Sequence, residues 1–99
     1  TEQKGNELEP ATLLKIGRIY EKIANTEQAL FYYNLILTNH KESIYIDEAC
    51  YFSGDLLTKK QDNENAKLMF EQIIMNHQDS IYYVEAQKKY RKLRGDKDL

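Results

Sequence analysis

Ninety-nine residues amount to one small domain, with 14 Lys and Arg against 16 Asp and Glu for a net charge of −2; single domains typically run about 100–150 residues. That near-balance argues against a dedicated nucleic-acid binder and against a polyacidic tail, and a single cysteine excludes both an internal disulfide framework and a four-thiolate zinc site. No apolar run approaches the ~18 residues of a membrane span, and no signal-peptide pattern opens the chain; a start at Thr1 rather than Met reads as a piece of a longer protein.

Residues 1–9 form a polar leader. Pro10 fits the first turn of a helix, where its missing N–H costs nothing, and Leu13, Ile16, Gly17, Tyr20 and Ile23 then recur at three- and four-residue steps. This helix is expected to end near Ala24–Asn25, with Asn25 capping a second and Gln28 three residues on. The second carries Ala29, Leu30, Tyr33, Ile36 and Leu37 and stops at a polar run, 39–42. A third is expected from about Ser43 to Thr58, with Ala49, Phe52 and Leu56 on its apolar face. Asp62-Asn63 breaks it and opens a fourth over 64–76, carrying Ala66, Met69, Phe70, Ile73 and Ile74. After the polar run 77–79, a fifth is expected from about Ser80 to Arg94, closed by Gly95 as a left-handed C-cap; 95–99 is a tail. Five helices without a strand make the chain all-α.

Sliding the chain by 37 residues lays 25–57 over 62–94 without a gap and gives 11 identities in 33 positions, far above chance. Glu27 meets Glu64, Ala29 meets Ala66 and Ile36 meets Ile73. Asn39-His40 recurs as Asn76-His77, Ser43-Ile44-Tyr45 as Ser80-Ile81-Tyr82, and Glu48-Ala49 as Glu85-Ala86. The chain therefore contains a duplicated helical hairpin, with hairpins over about 10–39 and 43–76.

Within the duplication, Leu13…Ile16-Gly17…Tyr20…Ala29…Tyr33 and Cys50…Gly54…Leu57…Ala66…Phe70 place small residues where two helices touch, with an aromatic ring beside them. This pattern resembles the tetratricopeptide repeat, over roughly Pro10 to Arg94. The resemblance implies tandem helix hairpins of an α-solenoid. Two features depart from the family. The proline that usually follows the second helix is Lys41 in one copy and Gln78 in the other, and the period exceeds the usual ~34 residues. The extra length falls in the link around Asn39–Ser43, and in this the chain looks like the longer-period repeats of bacterial cell-envelope assembly and scaffold proteins, whose links often read as a polar turn, a Ser and an aromatic. That likeness implies a periplasmic or envelope location, although the cysteine count permits the cytoplasm equally. In the third, half copy, Tyr83, Ala86, Tyr90 and Leu93 form an inward stripe, but Arg91 stands where the earlier copies have Gly17 and Gly54. Residues 80–94 thus read as a C-terminal capping helix, with the natural carboxyl terminus near Leu99.

Tetratricopeptide arrays bind peptides or protein partners in the concave surface lined by the first helix of each hairpin. Carried over, the lining is Leu14, Arg18 and Glu21 from the first helix, Glu48, Tyr51, Asp55 and Lys59 from the third, and Glu85, Lys88 and Lys92 from the fifth. This mixed surface suits an extended peptide of a protein partner better than a small molecule. One sub-class clamps a terminal carboxylate with Lys, Arg and Asn; the corresponding positions hold Leu14, Phe52 and Glu85, so that mode is not expected. Tyr20, Tyr33 and Tyr90 are assigned to packing, and Tyr51 to the inner surface.

Other chemistry finds little footing. His40 and His77 occupy equivalent links without clustered partners, so a metal site is not expected, and Cys50 replaces Leu13 in the repeat as a buried small residue. No phosphate loop, nucleophile elbow or zinc-protease motif is present, so neither catalysis nor a cofactor is expected. Lys88, Lys89, Arg91, Lys92, Arg94 and Lys97 make the last helix basic. Contact with nucleic acid or an acidic partner is the alternative function there. A solvated cap whose cations complement the helix C-terminus is the more economical reading, and a purely structural cap is a third. Arg94-Gly95-Asp96 spells an adhesion tripeptide but coincides with the helix stop.

Overall fold

The computed structural model describes residues 8–95. Among them lie five α-helices and no strand: α1 (Pro10–Lys22), α2 (Thr26–Asn39), α3 (Ile46–Lys59), α4 (Asn63–Asn76) and α5 (Tyr83–Arg94). The polar leader up to residue 7 and the tail beyond Gly95 lie outside the described residues. The chain divides into two compact units, Thr1–Ala49 and Cys50–Leu99, with the boundary inside α3.

Both hairpins turn by the same device. Past α1, Ala24 adopts a left-handed backbone (φ 62°). Its N–H bonds to Glu21 O at 3.0 Å, while Asn25 N–H reaches Tyr20 O at 2.9 Å. These two bonds form a Schellman motif, and they stop α1 at Lys22, short of the expected Ala24–Asn25 end. Thirty-seven residues later Gln61 takes φ 67°, with Gln61 N–H on Thr58 O and Asp62 N–H on Leu57 O, each at 2.9 Å. The residue that completes each motif also starts the next helix. Asn25 Oδ1 accepts from Gln28 N–H (3.3 Å) and Asp62 Oδ1 from Asn65 N–H (3.4 Å).

In the first unit the fully buried ring of Tyr33 lies against Gly17, so closely that a Cβ there would stand 2.7 Å from Tyr33 Cδ1. The second unit repeats the arrangement, with Phe70 on Gly54 and Cζ 2.6 Å from where a Cβ would be. Leu13, Ala29, Ile36, Ile46 and Ala49 complete the buried set of the first unit. Cys50, Ser53, Leu56, Ala66, Ile73 and Ala86 complete that of the second. Cys50 is therefore buried, as its place opposite Leu13 in the repeat implies.

The links correct the expected helix starts at Ser43 and Ser80. Ser43 Oγ accepts the N–H of Tyr45, and Ser80 Oγ that of Tyr82, both at 2.9 Å. Each serine thus closes a local turn that competes with the helix, and α3 and α5 begin three residues later, at Ile46 and Tyr83. The turn leaves Ile44 and Ile81 more than 80 % exposed in both copies (82 % and 86 %). At the other end of α5, Gly95 takes φ 94° and its N–H bonds to Lys92 O, which is the expected left-handed stop.

Candidate functional site

The first helix of each hairpin carries the residues expected to meet a partner, and each unit arranges its share differently. In the first unit, Leu14, Arg18 and Glu21 on α1 are half-buried. Glu21 Oε1 accepts a 2.6 Å hydrogen bond from the Tyr33 hydroxyl and lies 3.7 Å from Arg18 Nη1. Burial, reinforced by the neighbouring Glu21 carboxylate, holds the Tyr33 phenol protonated far above its ordinary range. Arg18 and Glu21 therefore belong to a network that also anchors α2. Glu48 sits half-buried in the first turn of α3, its N–H bonded to Asp47 Oδ1 at 3.0 Å.

The second unit contains an aromatic cluster with a cation on it. Tyr51 stacks on Tyr82 with centroids 4.5 Å apart and presents its edge to Phe70 at 5.9 Å, while Phe52 meets Tyr82 at 6.0 Å. The Lys89 ammonium lies 4.6 Å from the Tyr51 ring centre and 2.7 Å from Asp55 Oδ1. Burial alone would lower the Lys89 pKa, but Asp55 and Tyr51 together outweigh it and hold the amine above its ordinary range. Tyr51 and Asp55 are thus half-buried and joined to α5, whereas Lys59, Glu85, Lys88 and Lys92 are exposed. Lys88 reaches Glu85 at 3.6 Å across one turn.

Sequence reasoning missed Lys89 and Tyr82 as members of this cluster. The recurrence of Ser-Ile-Tyr in both links was the one available signal for Tyr82, since it marked an aromatic at the entrance to α5. No local pattern pairs Asp55 with a lysine 34 residues away.

Tyr33 is buried as expected of a packing residue. Tyr20 is half-buried and stacks on Tyr32 at 5.7 Å. Tyr90 lies between two helices, in keeping with the packing role assigned to it, but is not fully buried. It is half-buried in a cleft of about 290 Å³ between α4 and α5, lined also by Glu71, Ile74, Met75, Arg91 and Arg94, with Arg94 5.3 Å from its ring. Arg91 stands one period beyond Gly17 and Gly54 and lines this cleft.

His40 Nε2 lies 3.1 Å from Leu8 O. Among the described residues no group of three or more His, Cys, Asp or Glu is placed to hold a metal ion, and no helix is long and apolar enough to cross a membrane.

Comparison with known families gives two matches, to two models each described as the tetratricopeptide repeat. One covers residues 11–43 and the other 47–75, which together span well over half of the chain. The first takes in α1, α2 and the link; the second takes in α3 and most of α4; α5 falls outside both. No curated protein and no solved structure matches the chain.

Proposed function

The chain belongs to the tetratricopeptide repeat family, whose repeats generally mediate protein–protein interaction, and on that premise we propose that it is a non-catalytic scaffold segment holding an extended peptide of a protein partner against the first helices of its hairpins. The observation that carries this reading is the second unit's Tyr51–Tyr82 stack, whose neighbours α3 and α5 expose Lys59, Glu85, Lys88 and Lys92. An aromatic anchor surrounded by charges of both signs is the composition of a protein-binding surface, where the ring contributes affinity and the rim contributes register. In the first unit the residues proposed to meet a partner are Leu14, Arg18, Glu21 and Glu48.

The test is a pull-down with the chain immobilised, applied to envelope and cytosolic extracts and eluted by stepped salt. A discrete protein retained by the wild type and lost with Lys59→Glu/Lys88→Glu supports the reading. Retention that is indifferent to those two exposed charges overturns it.

We also propose a bacterial cell-envelope setting, as part of a larger scaffold. Its support is the 37-residue period and the polar Ser-Ile-Tyr link, both longer than the family's usual form. Fractionation of the source cells tests this, and recovery in the soluble cytosol overturns it.

A further inference from the structure

On the second unit the charges of the proposed surface do not act as a count of them suggests. In sequence, Asp55 and Glu85 stand against Lys59, Lys88 and Lys92, a mixture with room for a partner of either sign. The structure engages both acids internally. Asp55 Oδ1 lies 2.7 Å from the Lys89 ammonium, which also sits 4.6 Å from the Tyr51 ring centre. Glu85 lies 3.6 Å from Lys88, one turn along the same helix. Lys59 and Lys92 are exposed, and neither has an ion pair among the described residues.

Their placement follows from the contacts that join α3 to α5. Tyr51 stacks on Tyr82 and Asp55 meets Lys89, so the contacts advance in the same sense along both helices. Lys59 is four residues beyond Asp55, and Lys92 is three beyond Lys89. Each lysine therefore stands one turn further on, on the side of its helix that carries the contact. The aromatic stack is thus followed, along both helices, by an ammonium group that the unit itself does not neutralise.

We infer that the partner segment held on this surface is acidic, with Asp or Glu side chains on Lys59 and Lys92 and an apolar side chain beside the Tyr51–Tyr82 stack. The inference rests on the reading proposed above and narrows it from any extended peptide to one chemical class. A basic segment would meet three exposed lysines, and the acids it needs are engaged, Asp55 by Lys89 and Glu85 by Lys88. An acidic segment gains contacts and breaks none. Exposed ammonium–carboxylate contacts are individually weak and are screened by salt. The aromatic stack therefore contributes affinity, while Lys59 and Lys92 select among peptides.

The probe is a peptide of about nine residues, ~30 Å long when extended, with one central Trp among Glu and Ser. Both ends are capped so that no terminal carboxylate contributes. The chain has no Trp, so the peptide's emission reports binding alone. Companion peptides replace every Glu by Gln or by Lys. With the full chain, the Glu peptide is expected to bind most tightly, to weaken as salt rises from ~50 mM to ~500 mM, and to shift the amide resonances of Tyr51 and Tyr82. Lys59→Gln/Lys92→Gln should weaken it about fivefold. Glu85 already offsets the charge of Lys88, so Lys88→Gln should weaken it less, under about twofold, and Glu85→Gln should strengthen it. Helical melting curves establish that each variant folds. A Glu peptide that binds no more tightly than the Gln peptide overturns the inference, and so does wild-type affinity in Lys59→Gln/Lys92→Gln. If Tyr51 and Tyr82 still shift in those cases, the docking surface stands and only its charge preference fails; without those shifts both fail. Tighter binding of a single-stranded oligothymidine, lost in the same variant, also overturns the inference, because the two lysines then serve nucleic acid.

Discussion

The Tyr33 hydroxyl donates to Glu21 Oε1 at 2.6 Å, and one period later both partners have changed together, to Phe70 and Thr58. Thr58 turns its hydroxyl to Gly54 O of its own helix at 2.8 Å. The two copies thus share a ring on a glycine but differ in how the ring's far end is satisfied. Tyr33→Phe alone leaves Glu21 without its donor, and a cost of about 1–2 kcal/mol is expected, because Glu21 retains partial access to water. Glu21→Thr/Tyr33→Phe, which copies the second unit, should recover part of that loss. Urea midpoints of the double-mutant cycle measure the coupling.

The same tyrosine makes stability depend on alkaline pH. Its folded-state pKa is raised, so the native state keeps a proton that the unfolded chain loses near pH ~10. The stability contributed by this protonation preference is complete below that pH and declines above it. Urea unfolding between pH 8 and pH 11 (from about two units below the onset to about one above it) should show a steeper loss in the wild type than in Tyr33→Phe.

Gly54→Ala is expected to destabilise the second unit by about 2–3 kcal/mol. The new methyl must displace the Phe70 ring, and overpacking of this kind exceeds the helix-propensity gain of ~1 kcal/mol. Adding Phe70→Leu should restore part of the loss by vacating the ring's edge. Gly17→Ala has the same effect in the first unit. Calorimetric melting of the three variants against the wild type checks both.

Ala24 and Gln61 hold left-handed backbones without being glycine. Replacing either with Gly removes the steric penalty between Cβ and the following carbonyl, less the extra entropy that Gly brings to the unfolded chain. A net stabilisation of about 0.5–1 kcal/mol is expected for each, and additivity in the double variant, since the two turns lie in different hairpins.

Asp55 and Lys89 join α3 to α5 through one contact at 2.7 Å, with each side chain about one-third exposed (31 % and 34 %). Solvent reaches the pair, so its coupling should be modest, about 0.5–1 kcal/mol, and should shrink in high salt. Asp55→Ala, Lys89→Ala and the double variant, melted at two ionic strengths, measure it.

The hairpins were legible because several signals agreed. The period placed Gly54 under Gly17 and Phe70 under Tyr33, and the caps at Asn25 and Asp62 marked where each second helix starts. The helix starts in the links were not legible, because a serine before an apolar run reads equally as an N-cap and as a turn closed by its own hydroxyl. The candidate surface was legible in composition more than in geometry. Lys59, Glu85, Lys88 and Lys92 are exposed, as a partner-facing role requires, but Glu21 and Asp55 are already engaged by Tyr33 and Lys89. Those pairings depend on the rotational register of one helix against another, and a change of one residue turns a side chain by more than a quarter of the circumference. Lys88 and Lys89 are adjacent in sequence, yet only Lys89 reaches Asp55.

The thiol of Cys50 is 1 % exposed, one turn ahead of Gly54, and no other cysteine exists in the chain. A thiol-directed reagent can therefore report a single event, the transient opening that brings this helix surface to water. Its rate relative to that of the unfolded chain gives the fraction of time the second unit spends open, measured under native conditions and without denaturant. Gly54→Ala should speed labelling by the factor that corresponds to its loss of stability, and Tyr33→Phe should change it only as far as the two units open together. A thiol held out of water by the native packing thereby becomes a clock for its cooperativity.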